Sequence, residues 1–170
     1  MVGPYAGGVV AREDLGSWLE GTGAAGDGAR LGLPGTGRGA AAPFGRRLLA
    51  LAVDWFACLL ISAAFAPTPD PVVGLLRGDP VVTLAVFAVE NVLLVATLGH
   101  TLGHRVAGLR VRPMPVADDG RALPDDGRPP GLLRAAVRTA LLLLVVPAVV
   151  QDGNGRALHD RAAGTALVRR

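Results

Sequence analysis

Two long, predominantly apolar stretches organise the chain, and each is long enough to cross a membrane. The first covers residues 48–66 and the second residues 81–98. Since a helix rises about 1.5 Å per residue and the hydrocarbon layer is about 30 Å thick, each stretch can span it as one helix. The segment from Pro67 to Pro80 contains four prolines, and they predict a short loop outside the membrane.

The first stretch contains Asp54, although a carboxylate inside a membrane costs about 2.5–3.5 kcal/mol on insertion scales. Cys58 and Ser62 follow Asp54 at intervals of four residues, and Arg47 precedes it by seven. On a helix, these side chains form one polar stripe. We expect that stripe to face protein rather than lipid.

The second stretch repeats the pattern around Glu90, which stands seven residues from Thr83 and from Thr97 and has Asn91 beside it. Two carboxylates in neighbouring membrane helices must be protonated, paired with arginine or hydrated through a cavity. Two roles stay open for Asp54 and Glu90. They could be structural counter-ions for arginines at the helix ends, or they could take part in ion transport.

A third apolar segment runs from about residue 132 to residue 150, and it is short for a full span. It contains Arg134 and Arg138, and its uncharged part is interrupted by Pro147. The segment could cross if the arginines extend to the interface, or it could enter the membrane and return as a broken hairpin. The sequence therefore predicts an all-α membrane protein with two transmembrane helices and a third short or broken membrane segment.

The distribution of arginines indicates the side of the membrane on which each segment lies. Five arginines fall in residues 99–131 and two, Arg46 and Arg47, immediately precede the first span, whereas the loop between the spans has only Arg77. Because positive charge is enriched on the cytoplasmic side, we expect the N-terminus and residues 99–131 to be cytoplasmic.

Glycines and histidines follow the second span. Gly99 and Gly103 are four residues apart, so they could allow a neighbouring backbone to approach closely, and Gly99 could equally end the helix. His100 and His104 have the spacing of metal ligands on a helix. No cysteine or carboxylate lies close to them in sequence, so we expect histidines at the surface or facing headgroups and no metal site.

Two later segments, residues 108–112 and 164–168, alternate apolar and polar side chains as short strands do. Each needs a partner for its backbone, so we expect them to pair as a small two-stranded cytoplasmic β element. That pairing requires a cytoplasmic C-terminus and favours the broken form of the third segment.

Composition supports a membrane protein. Of the 170 residues, 51% are hydrophobic but only 4% are aromatic, so the apolar content consists of blocks of Ala, Val and Leu. Residues 1–43 are rich in glycine, and we expect a disordered cytoplasmic tail there. All 17 basic residues are arginine, a bias typical of a GC-rich genome, and we expect no nucleic-acid partner.

The sequence does not favour an enzyme or a cofactor. The only serines, Ser17 and Ser62, have no histidine close by in the sequence, and His159 and Asp160 form the sole suggestive pair. The sequence also lacks a glycine-rich phosphate-binding loop that ends in lysine, and it lacks a His-Glu-x-x-His motif. Cys58 is the single cysteine, so it cannot form an internal disulfide.

Several separated motifs, in the right order, resemble the RDD family of small bacterial membrane proteins, named for one Arg and two Asp. Residues 99–111, Gly-His-Thr-Leu-Gly-His-Arg-Val-Ala-Gly-Leu-Arg-Val, are similar to the family's Gly-x-Thr-x-Gly-basic-Arg-x-x-Gly-Leu-basic-Val. The family's Arg falls at Arg46 or Arg47, its first Asp at Asp54 and its second at Asp160, within Leu-His-Asp-Arg-Ala-Ala-Gly-Thr. His104 stands where a lysine is common, so no fixed charge is implied there. Residues 17–19 and 30–34 resemble the tail of an actinobacterial branch.

The resemblance covers residues 44–170 and implies a multi-pass protein of the bacterial inner membrane. Most members have no assigned biochemistry, and transport, including sodium/proton exchange, has been proposed for the family. Two functions follow: cation or proton transport by an oligomer or transporter component that uses buried Asp and Glu, or a non-catalytic scaffold or accessory subunit with a structural Arg/Asp network. The expected partners are the lipid bilayer and further copies of the chain or a larger membrane complex.

The candidate residues form two sets. The family motif and ion network comprises Arg46, Arg47, Asp54, Glu90, Arg134, Arg138 and Asp160. The structural glycine motif comprises Gly99, Thr101, Gly103, Gly108 and Gly164.

Overall fold

The computed structural model describes residues 32–69, 77–114, 124–144 and 156–170. Most of the predicted N-terminal tail and the part of the third apolar segment beyond Leu144 lie outside the described residues. The described part is mostly helical, with one small sheet.

Two long helices form an antiparallel hairpin, α1 (Phe44–Phe65) and α2 (Pro80–Leu98). They coincide with the two apolar stretches, and both are long and apolar enough to cross a membrane. The carboxylate of Asp79 caps α2 by accepting hydrogen bonds from the backbone N–H groups of Val81 and Val82, and Gly99, at φ +73°, ends the helix.

The buried side of each long helix follows positions four residues apart. On α1 the buried row consists of Ala50, Asp54, Cys58 and Ser62. On α2 it consists of Thr83, Phe87, Asn91 and Val95. The expected protein-facing stripe of Asp54, Cys58 and Ser62 is therefore present.

The polar face expected on α2, formed by Thr83, Glu90 and Thr97, is buried only in part. Thr97 is exposed and Glu90 is half-buried, whereas Asn91 is buried. Positions four apart advance by about 40° around a helix and positions seven apart recede by about 20°, so the two rows diverge along α2. The packed row is the one that carries Phe87, whose ring meets Trp55 of α1 edge to face at a centroid distance of 5.6 Å.

Three shorter helices complete the described part: α3 (Leu102–Val106), α4 (Leu132–Leu143) and α5 (Leu158–Ala162). The 12 residues of α4 give a length of about 18 Å at 1.5 Å per residue, which is short of a hydrocarbon layer of about 30 Å. The described part of the third apolar segment is thus a short helix, and it packs against α2.

Strand β1 (Leu109–Pro113) pairs antiparallel with β2 (Thr165–Arg169), with Val111 opposite Leu167. This confirms the expected pairing of the two alternating segments. The other edge of β2 is covered by residues 39–42, since Ala42 N–H donates to Leu167 O at 2.9 Å. These residues belong to the stretch that the sequence assigns to a tail, and an unpaired strand edge explains why they are held. The segment before α1 and the last strand therefore lie at the same end of the helix hairpin.

Candidate functional site: a polar cavity beside the sheet

The carboxylate of Asp54 is held by the start of α3. Thr101 Oγ1 donates to Asp54 Oδ2 at 2.6 Å, and Gly103 N–H donates to Asp54 Oδ1 at 2.5 Å. Backbone N–H groups in the first turn of a helix have no partner within that helix, so they are ready donors for a carboxylate. Asp54 is 3% exposed, and both of its oxygens are satisfied within the chain.

Gly103 allows this contact because α3 lies directly against α1. A Cβ built on Gly103 would overlap the carbonyl oxygen of Ala50, so any side chain would push the two helices apart. Two other glycines of the motif make turns at positive φ, Gly108 at +69° before β1 and Gly164 at +62° before β2. The glycine motif thus brings α3 to Asp54 and turns the chain into both strands.

His104 completes the cap of α3. Its backbone N–H donates to Thr101 Oγ1 at 3.1 Å, while its ring Nδ1 accepts from the Thr101 N–H at 3.2 Å. Burial, followed by the nearby charge of Arg138, lowers the pKa of His104 well below its usual value, so the ring is neutral. The expectation of a surface or headgroup-facing histidine is wrong for His104, which is 6% exposed because it folds back as the N3 residue of a capping box.

The second motif carboxylate, Asp160, lies at the start of α5 and is fully buried. Arg138 Nε donates to Asp160 Oδ1 at 2.8 Å, and Thr165 Oγ1 lies 3.2 Å from the same oxygen. Arg47 Nη1 is 4.0 Å from Asp160 Oδ2, and His159 Nε2 is 3.7 Å from Oδ1. Burial alone would raise the pKa of Asp160, but the charge of Arg138 and its neighbours lowers it below its ordinary value.

Asp54 and Asp160 line the same cavity, which has a volume of about 100 Å³. Arg47, Arg138 and His104 also line it, so residues from α1, α3, α4 and α5 converge there. Among the described residues, no group of three or more His, Cys, Asp or Glu side chains is placed to hold a metal ion. Chemically, the cavity presents two arginines and two carboxylates to any occupant.

The other candidate residues lie elsewhere. Arg46 donates from Nη1 to the carbonyl oxygen of Ala107 at 3.1 Å, and Glu90 Oε2 accepts from Cys58 Sγ at 3.2 Å. Arg134 is half-buried on α4 and does not line the cavity. The structure therefore brings Arg47, Asp54, Arg138 and Asp160 to one cavity, and not the whole predicted set.

Sequence reasoning missed the roles of Thr101, His104, His159 and Thr165. Thr101 followed by His104 three residues later has the spacing of a capping box, a signal that could have placed His104 beside Thr101. The proximity of Thr101 to Asp54 is different, because 47 positions separate the two residues and only the folded chain brings them together.

No curated protein and no solved structure matches this chain. Two residues of the family motifs identified from the sequence, Asp54 and Asp160, line the cavity. A family model described as the RDD family matches residues 41–164 of the 170-residue chain, and the chain therefore belongs to the RDD family.

Proposed function

We propose that this chain is a non-catalytic membrane module, a scaffold or accessory subunit, in which the Arg/Asp network fixes the helices and the sheet against one another. One observation carries this proposal: each motif carboxylate accepts hydrogen bonds from groups of the same chain. Asp54 accepts from Thr101 and Gly103, and Asp160 accepts from Arg138. Groups that are already hydrogen-bonded and buried are arranged to hold a structure together.

The exposed apolar surface supports placement in a membrane. Only 22% of the most apolar window of α1, and the same share of α2, is buried inside the protein. The core helix of a water-soluble protein would be mostly buried, whereas Phe56, Val89 and Leu93 are each more than half exposed. Contact with lipid would cover this apolar surface, which supports the proposed placement.

The proposed orientation places the sheet and the polar cavity in the cytoplasm of a bacterial cell, at the inner-membrane surface. Arg46, Arg47 and Arg105 lie at the end of the hairpin that carries the sheet, and positive charge is enriched on that side. In this arrangement both the segment before α1 and β2 are cytoplasmic. As a scaffold or accessory subunit, the proposed module acts with further copies of itself or within a larger membrane complex.

Assembly tests the scaffold role. Asp54→Asn and Asp160→Asn should each reduce the amount of folded protein in the membrane, and they should alter its complexes on native gels. Asp126→Asn is the matched control, because that side chain is 56% exposed. Normal abundance and normal complexes in both motif variants would contradict a structural network.

Cation or proton transport by an oligomer is the second candidate, favoured by the fact that two carboxylates and two arginines line one cavity. Flux into proteoliposomes that contain the purified protein separates the two functions. Transport predicts a flux that is abolished when Asp54 or Glu90 is neutralised, and the scaffold role predicts no flux in any variant.

A further inference from the structure

Glu90 lies in the middle of α2, the helix that the proposed placement sets across the membrane. At a rise of about 1.5 Å per residue it stands about 15 Å from the start of α2 and about 12 Å from its end. Its side chain is half-buried, whereas Phe87 is buried and Val89 is exposed. Part of this side chain therefore lies on the outer surface of the helix hairpin, at mid-membrane depth.

One carboxylate oxygen of Glu90 is bonded within the chain and the other is not. Cys58 Sγ donates to Oε2 at 3.2 Å, and a thiol is a weak donor. Among the described residues, Oε1 has no hydrogen-bond partner and the carboxylate has no cation beside it. The buried polar atoms that lack a partner in this part of the chain do not include Oε1, so a neighbouring molecule can reach this oxygen. Ionisable groups at this depth are costly in lipid, and pairing with a group of opposite charge offsets the cost.

The described residues of a second copy do not supply such a group at this depth. The chain has no lysine, and α2 has no arginine. Arg46, Arg47 and Arg134 lie in the first turns of α1 and α4, at the sheet end of the hairpin. Arg138 is buried and already in an ion pair. A copy inserted in the same orientation would bring its own Glu90 to this level, and two carboxylates repel each other.

The surface beside Glu90 is apolar, as the surface against a membrane helix is. Val89 and Leu93 are 57% and 52% exposed, and they flank Glu90 on the outer side of α2. Leu93 follows Glu90 by three residues, so the two side chains are neighbours on one helix face. This face therefore combines an accessible carboxylate with apolar contact area.

We propose that Glu90 pairs with a lysine or arginine in the middle of a transmembrane helix of another membrane protein, and that this helix docks on α2. The partner's basic group contacts Oε1, its apolar side chains pack against Val89 and Leu93, and Cys58 keeps its hydrogen bond to Oε2. Ion pairs are stronger in a medium of low dielectric than in water, so one pair selects a partner with a cation at the same depth. This proposal rests on the accessory-subunit role proposed above and names the chemistry of the partner.

Model helices test the pairing with the full-length protein reconstituted in phosphatidylcholine vesicles. The probes are leucine-rich transmembrane peptides of about 20 residues that carry either one arginine or one glutamine at the centre. Energy transfer between dyes on the protein and on the peptide measures their association. We expect the arginine peptide to associate about tenfold more tightly than the glutamine peptide.

Substitution of Glu90 identifies the group that recognises the arginine. Glu90→Gln keeps an oxygen that can accept from Cys58 but removes the charge, so it should abolish the preference for the arginine peptide. Asp126→Asn removes a carboxylate that is 56% exposed and outside the two membrane helices, and it should keep the preference. If Glu90→Gln fails to fold, the discrimination between the two peptides by the wild-type protein decides alone.

Equal association of the two peptides with the wild-type protein, or association of neither, would overturn the proposal and leave lipid against Glu90. A preference that persists in Glu90→Gln would overturn it as well. Self-association that depends on Glu90, without a preference for the arginine peptide, would make a second copy the occupant and would also contradict the proposal. Failure of the accessory-subunit role is recognised separately, by ion flux into proteoliposomes that contain no peptide.

Discussion

Thr101 Oγ1 donates a hydrogen bond of 2.6 Å to the carboxylate of Asp54, and this bond ties the start of α3 to the middle of α1. The same hydroxyl accepts from the backbone N–H of His104, so it also caps α3. Thr101 therefore joins the segment that leads to the sheet and the long helix that carries the family's first Asp.

Removal of the Thr101 hydroxyl should destabilise the protein more than removal of the methyl group. Thr101→Val leaves a buried carboxylate with one donor fewer and a helix without its cap, and we expect a loss of about 2–4 kcal/mol in the free energy of unfolding. Thr101→Ser keeps the hydroxyl and should lose less than about 1.5 kcal/mol. Equilibrium unfolding in mixed micelles measures both, and equal losses for the two variants would show that the hydroxyl is not the stabilising group.

Gly103→Ala should separate α3 from α1. The added Cβ would meet the backbone carbonyl of Ala50, which cannot move aside as a flexible side chain could, so we expect a loss of about 1–3 kcal/mol or failure to fold. Gly35→Ala is the control, since a Cβ there would have no atom within 4 Å. Size-exclusion profiles and thermal unfolding in detergent compare the two. A Gly103→Ala protein as stable as the wild type would show that the close approach is absent.

Asp160→Asn should leave Arg138 buried without its counter-ion, which costs about 3–5 kcal/mol when one partner of a buried pair is removed. The pKa of Asp160 is lowered on folding, so its contribution to stability is fully present above the unfolded value of about 4 and declines as the pH falls below it. The wild-type free energy of unfolding should therefore fall in acid more steeply than that of Asp160→Asn. Parallel curves for the two proteins below about pH 4 would contradict the ion pair.

His104 should make the protein less stable as the pH falls below about 6.5. The pKa of His104 is lowered on folding. At pH values between the pKa of the folded state and that of the unfolded state, the unfolded chain therefore binds more protons than the folded chain. The free energy of unfolding consequently rises with pH in that window. His104→Asn keeps an acceptor for the Thr101 N–H and has no proton to gain. The slope of unfolding free energy between pH 5 and about 6.5 should decrease in this variant, whereas an unchanged slope would indicate that another group titrates there.

Local patterns predicted the elements well. The length of each apolar stretch gave α1 and α2, and alternation gave the pairing of β1 with β2. Both depend on the spacing of neighbouring residues, which the sequence displays directly. Residues 39–42 were missed as an added edge of the sheet because their glycine-rich composition indicates disorder when the strand edge that binds them is not yet known.

The site was predictable only in part, because its contacts join distant segments. The motif resemblance singled out Asp54, Arg138 and Asp160, but not which partner each one meets. Two roles stayed open for Glu90 beside Asp54, and the sequence did not predict that its carboxylate accepts a hydrogen bond from Cys58 across the helix hairpin. Such pairings depend on how the helices rotate against one another, and a seven-residue spacing does not determine that rotation.

The proposed cytoplasmic position of the sheet and cavity is tested most directly by the side of the membrane on which the last residue lies. A cysteine in place of Arg170, in a Cys58→Ser background, is treated with a membrane-impermeant maleimide in intact cells and in permeabilised cells. Because β2 pairs with β1 and with the segment before α1, we expect labelling only after permeabilisation. Labelling of residue 170 in intact cells would contradict the cytoplasmic placement of the sheet and of the network through Asp160.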